Sequence, residues 1–462
     1  MERLTLGEIL TAVNGTLLGQ FNDLSATVDS VVTDSRKARP DALFVPLVGE
    51  RFDGHAYINA ALDAGAAGCF TARERESYLP GKFYIRVASP LRALRDLAAY
   101  YRAKFPIPLI GITGSVGKTT TKDMVAAVLG MKYKVLKTEG NMNSREGMPL
   151  TLLRLNNSHE IAVIEMGMSQ AGEIDYLGAI ARPDVAVITN IGDAHIENLG
   201  SRENILRAKC EMFNHLKSGG AVILNGDDEL LSDLNGTLPF ETVFYGSGEQ
   251  AQYRAKDISS GQSSIRCTAV TPQGEYEMEI PALGQHMIYP AMTAAAVGAR
   301  FGLTREQIVE GILQFEPTKM RMNVLRRGQN ITILNDTYNA NPQSMRAAIG
   351  VLGDSRSAFK MAVLGDMFEL GSLAPALHSG VGEYLGKAGI HCLVAVGELS
   401  EHMAAAARSA GVPMVFHCPD KGAAIPVLKE NVRTDSTILV KASRGMAMEE
   451  LVDYLKRITT EE

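Results

Sequence analysis

Eight short apolar runs, each closed by a polar or glycine-rich turn, constrain the fold more than any single residue. They are PLIGITGS from 108, IAVIEMG from 161, VAVITNIGDAH from 185, AVILNGDD from 221, ITILNDTYNANP from 331, MAVLGDM from 361, LVAVGE from 393 and TILVKASRG from 437. Unbroken Val/Ile/Leu runs of this length suit strands buried on both faces of a parallel sheet. The segments between them carry helical spacing. After Lys118, for example, Met124, Val125, Val128 and Leu129 fall on one helix face. Strand alternating with helix predicts an α/β fold.

A chain of 462 residues suits roughly three domains of about 150 residues. The runs form two groups, parted near FEPTKMRMN at 315–323. Residues 91–107 are helix-like and end at Pro106 and Pro108, and the pieces before them are shorter. The expected domains are therefore 1–90, a small α/β domain, 91–316, a central parallel-sheet domain, and 317–462, a Rossmann-like α/β domain. The amino terminus, MERLTLGEILTAVNG, mixes acids into its first turns and does not read as a signal peptide. Ile280 to Ala299 lacks Asp, Glu, Lys and Arg, but it holds Pro281, Gly284, Gln285, His286, Pro290 and Thr293. That composition predicts a loop entering a buried, alanine-rich helix rather than a membrane span. The formal charge of -6 and the scattered basic residues point away from nucleic acid. Five dispersed cysteines, without a C-x-x-C pair, fit neither a zinc site nor a disulfide framework; a reducing cytosol is expected.

The stretch GITGSVGKTTTKD at 111–123 departs from the pattern G-x-x-x-x-G-K-[ST], because Ile112 stands where the first glycine belongs. A strand, a glycine-rich turn and a helix start still make an anion site, since backbone N–H groups converge and the helix dipole favours negative charge. Gly114, Ser115, Val116, Gly117, Lys118, Thr119 and Thr120 are thus expected to hold nucleotide phosphate. Lys118 would reach the β/γ-phosphates, and the Thr119 hydroxyl would bind Mg²⁺. In open parallel sheets the ligand lies beyond the carboxyl ends of the strands. Those ends carry Glu165, Asn190, Asp193 and His195 in the central region. In the last third they carry Asp336, Asn339, Asn341, Asp366, Lys441, Ser443 and Arg444. Glu165 stands where a second carboxylate for Mg²⁺ is expected. On pattern alone, His195 reads as structural and Lys209 as an exposed helical lysine. Two strand-end clusters imply a cleft with ATP on one side and an acceptor on the other.

Taken together, the sequence resembles the Mur ligases, the ATP-dependent amide-bond enzymes of peptidoglycan synthesis. TGSVGKTT resembles their phosphate loop, which begins from T-G and so explains Ile112. The resemblance runs the whole length. It is carried by TDSRKARPDALFVPLVGERFDGH from 33, EGNMNSREGMPLTLL from 139, NDTYNANPQSM from 335, VLGDMFELG from 363 with His378 after it, and KASRGMAMEELV from 441. The branch it is most similar to adds D-alanyl-D-alanine to UDP-N-acetylmuramoyl-tripeptide. No DNPR stretch, the mark of the branch adding the third amino acid, is present.

The resemblance implies a role for each matching position. Asp34, Ser35 and Arg36 would help hold the UDP-muramoyl substrate, with Asn143 near metal and substrate. Glu165 and His195 would be Mg²⁺ ligands beside Thr119. Lys209 matches a lysine that the family carbamylates, giving an anion that can bind a second Mg²⁺. Such a lysine must first present a neutral amine to CO₂. Arg321, Asp336, Tyr338 and Asn339 would reach ATP from the third domain, and Lys441, Ser443 and Arg444 would lie by the dipeptide. The resemblance also implies a cytoplasmic enzyme, without membrane insertion, acting as a monomer. Two stretches depart from the family. Where an HN pair and a second asparagine three residues on pack adenine, this chain has GQHMIYPAMTAA, with Met287 and Pro290. Ala442 replaces an expected glycine. The alternatives are a nucleotide switch, which needs only the phosphate loop, a folylpolyglutamate-type or other Mur ligase, and a binding-only member of the family.

Overall fold

The computed structural model describes residues 1–49 and 52–459. They fall into two compact units. The first comprises Met1–Thr113, Lys132–Val187 and Ala208–Val222, and the second Gly114–Met131, Ile188–Arg207 and Ile223–Glu462.

The first unit opens on a five-stranded sheet in the order Thr16–Leu18, Phe83–Arg86, Gly68–Thr71, Ala42–Phe44, Ser30–Val32. The first pair is antiparallel and the others are parallel. Phe44, Leu62, Cys69 and Tyr84 fill its core. The helix-like segment forms helix Pro90–Ala103, capped by the Ser89 side chain with Pro90 in its first turn. That is where a missing N–H costs nothing. Beyond it, strand Ile161–Glu165 lies parallel between Leu109–Thr113 and Val135–Lys137. The apolar runs at 108 and 161 are thus fully buried parallel strands.

In the second unit, helix Lys118–Gly130 starts directly from the glycine turn. Gln285–Met287 turns into helix Ile288–Arg300, whose residues 290–298 are buried. It packs on helix Lys118–Gly130 so closely that a Cβ at Gly298 would lie 2.8 Å from Val128. The charge-free stretch is therefore a loop and a buried helix. Among the described residues no helix is long and apolar enough to cross a membrane. Strands Tyr253–Ser260, Ile265–Thr271 and Gly274–Ile280 pair antiparallel. The middle one alternates buried Ile265, Cys267 and Ala269 with more exposed Arg266 and Thr268. The last third forms a six-stranded sheet in the order Asn323–Arg327, Ile331–Asn335, Ser436–Lys441, Phe359–Gly365, Cys392–Val396, Met414–Cys418. Only its first pair is antiparallel. A helical layer buries each face, with Leu352, Leu364 and Met403 on one side and Val363, Val440 and Leu451 on the other. The α/β class expected from the runs is the class observed.

Candidate nucleotide and ligation site

The phosphate loop is held from below by residues 189–192. Ser115 N–H donates to the Asn190 carbonyl at 3.0 Å, and Val116 N–H to Asn190 Oδ1 at 2.9 Å. The Val116 carbonyl accepts from Thr189 Oγ1 at 2.6 Å and Asn190 Nδ2 at 2.9 Å. Gly114 sits at φ 148°, and a Cβ there would lie 1.8 Å from Thr189 Oγ1. Gly117 opens the helix at φ 82°. The first N–H groups of a helix have no intrahelical acceptor and face the loop's hollow. Lys118 Nζ donates to the Gly114 carbonyl at 2.7 Å, which folds its ammonium over that hollow.

A cavity of about 880 Å³ adjoins this loop. Val116, Gly117, Thr120 and Thr121 form one wall, and Arg321, Asp336 and Lys441 another. Arg321 lies 4.0 Å over the Tyr338 ring and donates to Thr119 Oγ1 at 3.2 Å. Lys441 Nζ is buried and donates to Asp336 Oδ2 at 2.6 Å and to the Asn339 carbonyl at 2.8 Å. Asp336 Oδ1 also accepts from Met322 N–H at 3.1 Å. Burial pulls the Lys441 pKa down, and Asp336 opposes that shift. Burial likewise lowers His286, again with Asp336 opposing. Met287 and Pro290 both line the cavity, so the departure at the adenine stretch falls on its wall.

Ser443 is buried, and its hydroxyl is engaged by backbone: it accepts from Phe368 N–H at 2.9 Å and donates to the Ala340 carbonyl at 3.4 Å. Arg444 is exposed and pairs with Glu449 at 2.8 Å. His195 holds left-handed backbone, φ 63°, with Nδ1 2.6 Å from Glu369 Oε2.

In the first unit, Glu165 ends its strand fully buried. Its Oε1 accepts from Asn143 Nδ2 at 2.6 Å, whereas Oε2 is buried with no hydrogen-bond partner. Lys209, near the end of helix Arg202–Cys210, is only 1% exposed. That corrects the pattern-based reading of a solvated lysine, for a short helix gives little amphipathic signal. Asp34 caps the turn Ser35–Lys37 just after strand Ser30–Val32 and accepts from Arg36 N–H, Nε and Nη2 at 2.8–3.0 Å. Those bonds from Arg36 hold its carboxyl down to about 2.

The structure thus gathers Lys118, Thr119, Arg321, Asp336, Tyr338, Asn339 and Lys441 in one unit, and Asn143 with Glu165 in the other. Sequence reasoning missed Asn225, Asp227, Tyr289 and Gln343, which line the cavity. The signal for the first two was present, since Asn225 ends the run AVILN and Asp227 follows it, as the strand-end rule expects. Among the described residues no cluster of three His, Cys, Asp or Glu side chains is arranged for a metal.

Comparison with known proteins gives three successive matches: residues 27–102 to the Mur ligase family catalytic domain, 112–298 to the Mur ligase middle domain, and 320–444 to the Mur ligase glutamate ligase domain. A Bacillus subtilis protein named UDP-N-acetylmuramoyl-tripeptide–D-alanyl-D-alanine ligase is 41% identical over 98% of this chain and 99% of its own. An Escherichia coli protein of the same name is 35% identical over 99% of both. Among solved structures, MurF from Acinetobacter baumannii matches at TM-score 0.91 and 32% identity, covering 98% of this chain and 99% of that one. MurF from Thermotoga maritima in complex with ADP matches at TM-score 0.83 and 29% identity, covering 93% and 97%.

Proposed function

The chain belongs to the Mur ligase family, and from that membership we propose that it is the ligase that joins D-alanyl-D-alanine to UDP-N-acetylmuramoyl-tripeptide at the cost of ATP. One observation carries the reading into chemistry: a single cavity has phosphate-loop residues on one wall and Arg321, Asp336 and Lys441 on another.

In this reading the tripeptide's free carboxylate oxygen attacks the γ-phosphorus. The bond to the β-phosphate oxygen breaks, ADP leaves and an acyl phosphate forms. The neutral amine of the dipeptide then attacks the acyl carbon. The tetrahedral state collapses with loss of phosphate, and the amine's proton passes to solvent or a base. Phosphoryl transfer asks the protein chiefly for position and positive charge. Lys118 and the loop's N–H groups bind the phosphates, and Arg321 is held at the loop by its stack on Tyr338. The Asp336–Lys441 pair keeps a cation fixed on the opposite wall. Exclusion of water by the cavity walls protects the acyl phosphate from hydrolysis.

The residues offered for Mg²⁺ are Thr119 and His195 in one unit, and Glu165 with Lys209, once carbamylated, in the other. The buried, unpartnered Oε2 of Glu165 fits that role, because a cation compensates a carboxylate oxygen taken out of water. When bound, Mg²⁺ neutralises charge developing on the phosphates. Half-buried Asp34 and Ser35 with exposed Arg36 offer a polar edge for the UDP-muramoyl group, with Asn143 near the metal. Asn339 stands with Arg321, Asp336 and Tyr338 toward ATP, and Ser443 and Arg444 stand beside Lys441 for the dipeptide. The domain division proposed at residue 316 falls in the gap between the second and third family matches, whereas the one proposed at residue 90 falls inside the first match, which runs to residue 102. The reading places the enzyme in the cytoplasm as a monomer.

Phosphate release, measured with ATP, Mg²⁺, UDP-muramoyl-tripeptide and D-alanyl-D-alanine and with each omitted in turn, tests the reading. Release that needs all four, with a product heavier by the dipeptide, is expected. Release without the dipeptide would overturn it.

A further inference from the structure

The turn GDMFELG, residues 365–371, is used by no step above, yet almost every residue in it is tied down. Asp366 Oδ1 accepts from Ser400 N–H and Oγ, both at 2.7 Å. Met367 N–H donates to Nε2 of buried His378 at 3.0 Å. Phe368 N–H donates to Ser443 Oγ at 2.9 Å. Gly371 takes φ 53°, and a Cβ there would lie 3.2 Å from Glu197. The remaining acid, Glu369, reaches away from its own sheet to His195, with Oε2 2.6 Å from Nδ1.

Both partners hold left-handed backbone, φ 62° and 63°. Non-glycine residues persist there only where their surroundings over-determine them. An exposed ion pair stabilises little, less than two such residues cost, so stability does not account for the arrangement. The His195 segment is also the one that grips the phosphate loop, since Gly192 N–H donates to Ser115 Oγ at 2.9 Å. The Glu369–His195 contact lies off the line of a well-formed hydrogen bond, as contacts of a working site often do before the ligand is bound.

We propose that Glu369 is a positioning residue for His195: its carboxylate takes the Nδ1–H and so fixes the tautomer in which Nε2 is the metal-binding nitrogen. The inference rests on the ligase reading and on His195 as a ligand. Metal-bound histidines generally donate their second ring N–H to such an acceptor, and loss of the acceptor weakens metal binding about 10–100-fold.

The test is titration of the full-length chain with Mn²⁺, followed by electron paramagnetic resonance, in the presence of a non-hydrolysable ATP analogue. Glu369→Ala removes the acceptor at an exposed position, and its metal-free thermal unfolding should match the parent. Its Mn²⁺ dissociation constant should rise about tenfold. In a His195→Ala background the same substitution should add nothing. Unchanged Mn²⁺ affinity in Glu369→Ala, or a full additional loss in the double variant, overturns the proposal. Dipeptide-dependent phosphate release by the parent is measured alongside. If that fails, the ligase reading falls; if it holds while the titration is unchanged, only the role of Glu369 falls.

Discussion

Glu165 ends a parallel strand in one unit and Asp336 directly follows one in the other, and each sets a carboxylate largely out of water. The chain treats them differently. Asp336 has Lys441 at 2.6 Å and the Met322 N–H at 3.1 Å, so its charge is cancelled within the protein. Glu165 has Asn143 on one oxygen and nothing on the other. Burial without compensation disfavours an anion, so a cation from outside would complete the second arrangement. A carboxylate neutralised by its own chain belongs to the frame of a site, and one left half satisfied belongs to its chemistry.

The largest effect on stability should come from breaking the neutralised pair. Lys441→Met removes the ammonium and leaves Asp336 as an uncompensated, mostly buried charge. The expected loss is about 3–5 kcal/mol, read from urea unfolding. A loss near zero would mean that Asp336 is solvated and that the contrast with Glu165 is false. Arg321→Ala comes next. It removes a cation stacked at 4.0 Å on Tyr338 and bonded to Thr119. The expected cost is about 1–2 kcal/mol, together with a rise of about tenfold in KM for ATP. An unchanged KM would remove Arg321 from the nucleotide site.

Glu165→Gln should behave in the opposite sense to Lys441→Met. Without metal, its urea midpoint should move by less than about 1 kcal/mol in either direction, because the amide oxygen can still accept from Asn143 and no partner of Oε2 is lost. Turnover, in contrast, should fall about a hundredfold. If this variant unfolds as readily as Lys441→Met, Glu165 is a structural residue and the comparison collapses.

The parallel strands were legible because an uninterrupted apolar run has one stable home, a sheet covered on both faces. Ile161–Glu165 and Ile331–Asn335 fall where the runs predict, and their polar ends are the residues that gather at the sites. The antiparallel strands Ile265–Thr271 and Gly274–Ile280 were not singled out. Their buried positions alternate with Arg266, Glu275 and Glu277, so no run forms. Lys209 was legible only through the family resemblance, because a short helix gives too little periodicity to tell a buried lysine from a solvated one. The Glu369–His195 contact was invisible, since neither residue's neighbourhood in sequence mentions the other. Gln343 was missed for the same reason: it sits in the first turn of helix Pro342–Gly353 and reaches the cavity only through packing.

His378 gives a third solution to burial, and the smallest expected effect. It is fully buried and avoids charge altogether: Nδ1 donates to the Ala374 carbonyl at 2.7 Å, so Nε2 is free to accept from Met367 N–H at 3.0 Å. Desolvation lowers its pKa, outweighing the contribution of the Ala374 carbonyl. The folded protein therefore binds this proton less readily than the unfolded chain, whose histidine titrates near about 6.5. The stabilisation is complete above that value and is lost as pH falls below it towards the folded pKa. His286 shifts in the same direction, so the wild-type curve alone does not isolate His378. The difference between wild type and His378→Gln does, because glutamine has no proton to gain. Wild type should melt higher at pH 7.5, and the two melting curves should converge as the buffer is acidified. Parallel curves from pH 7.5 to 5 would mean that His378 binds its proton equally well in the folded and the unfolded chain, and that the turn bearing Glu369 is not held by a neutral ring.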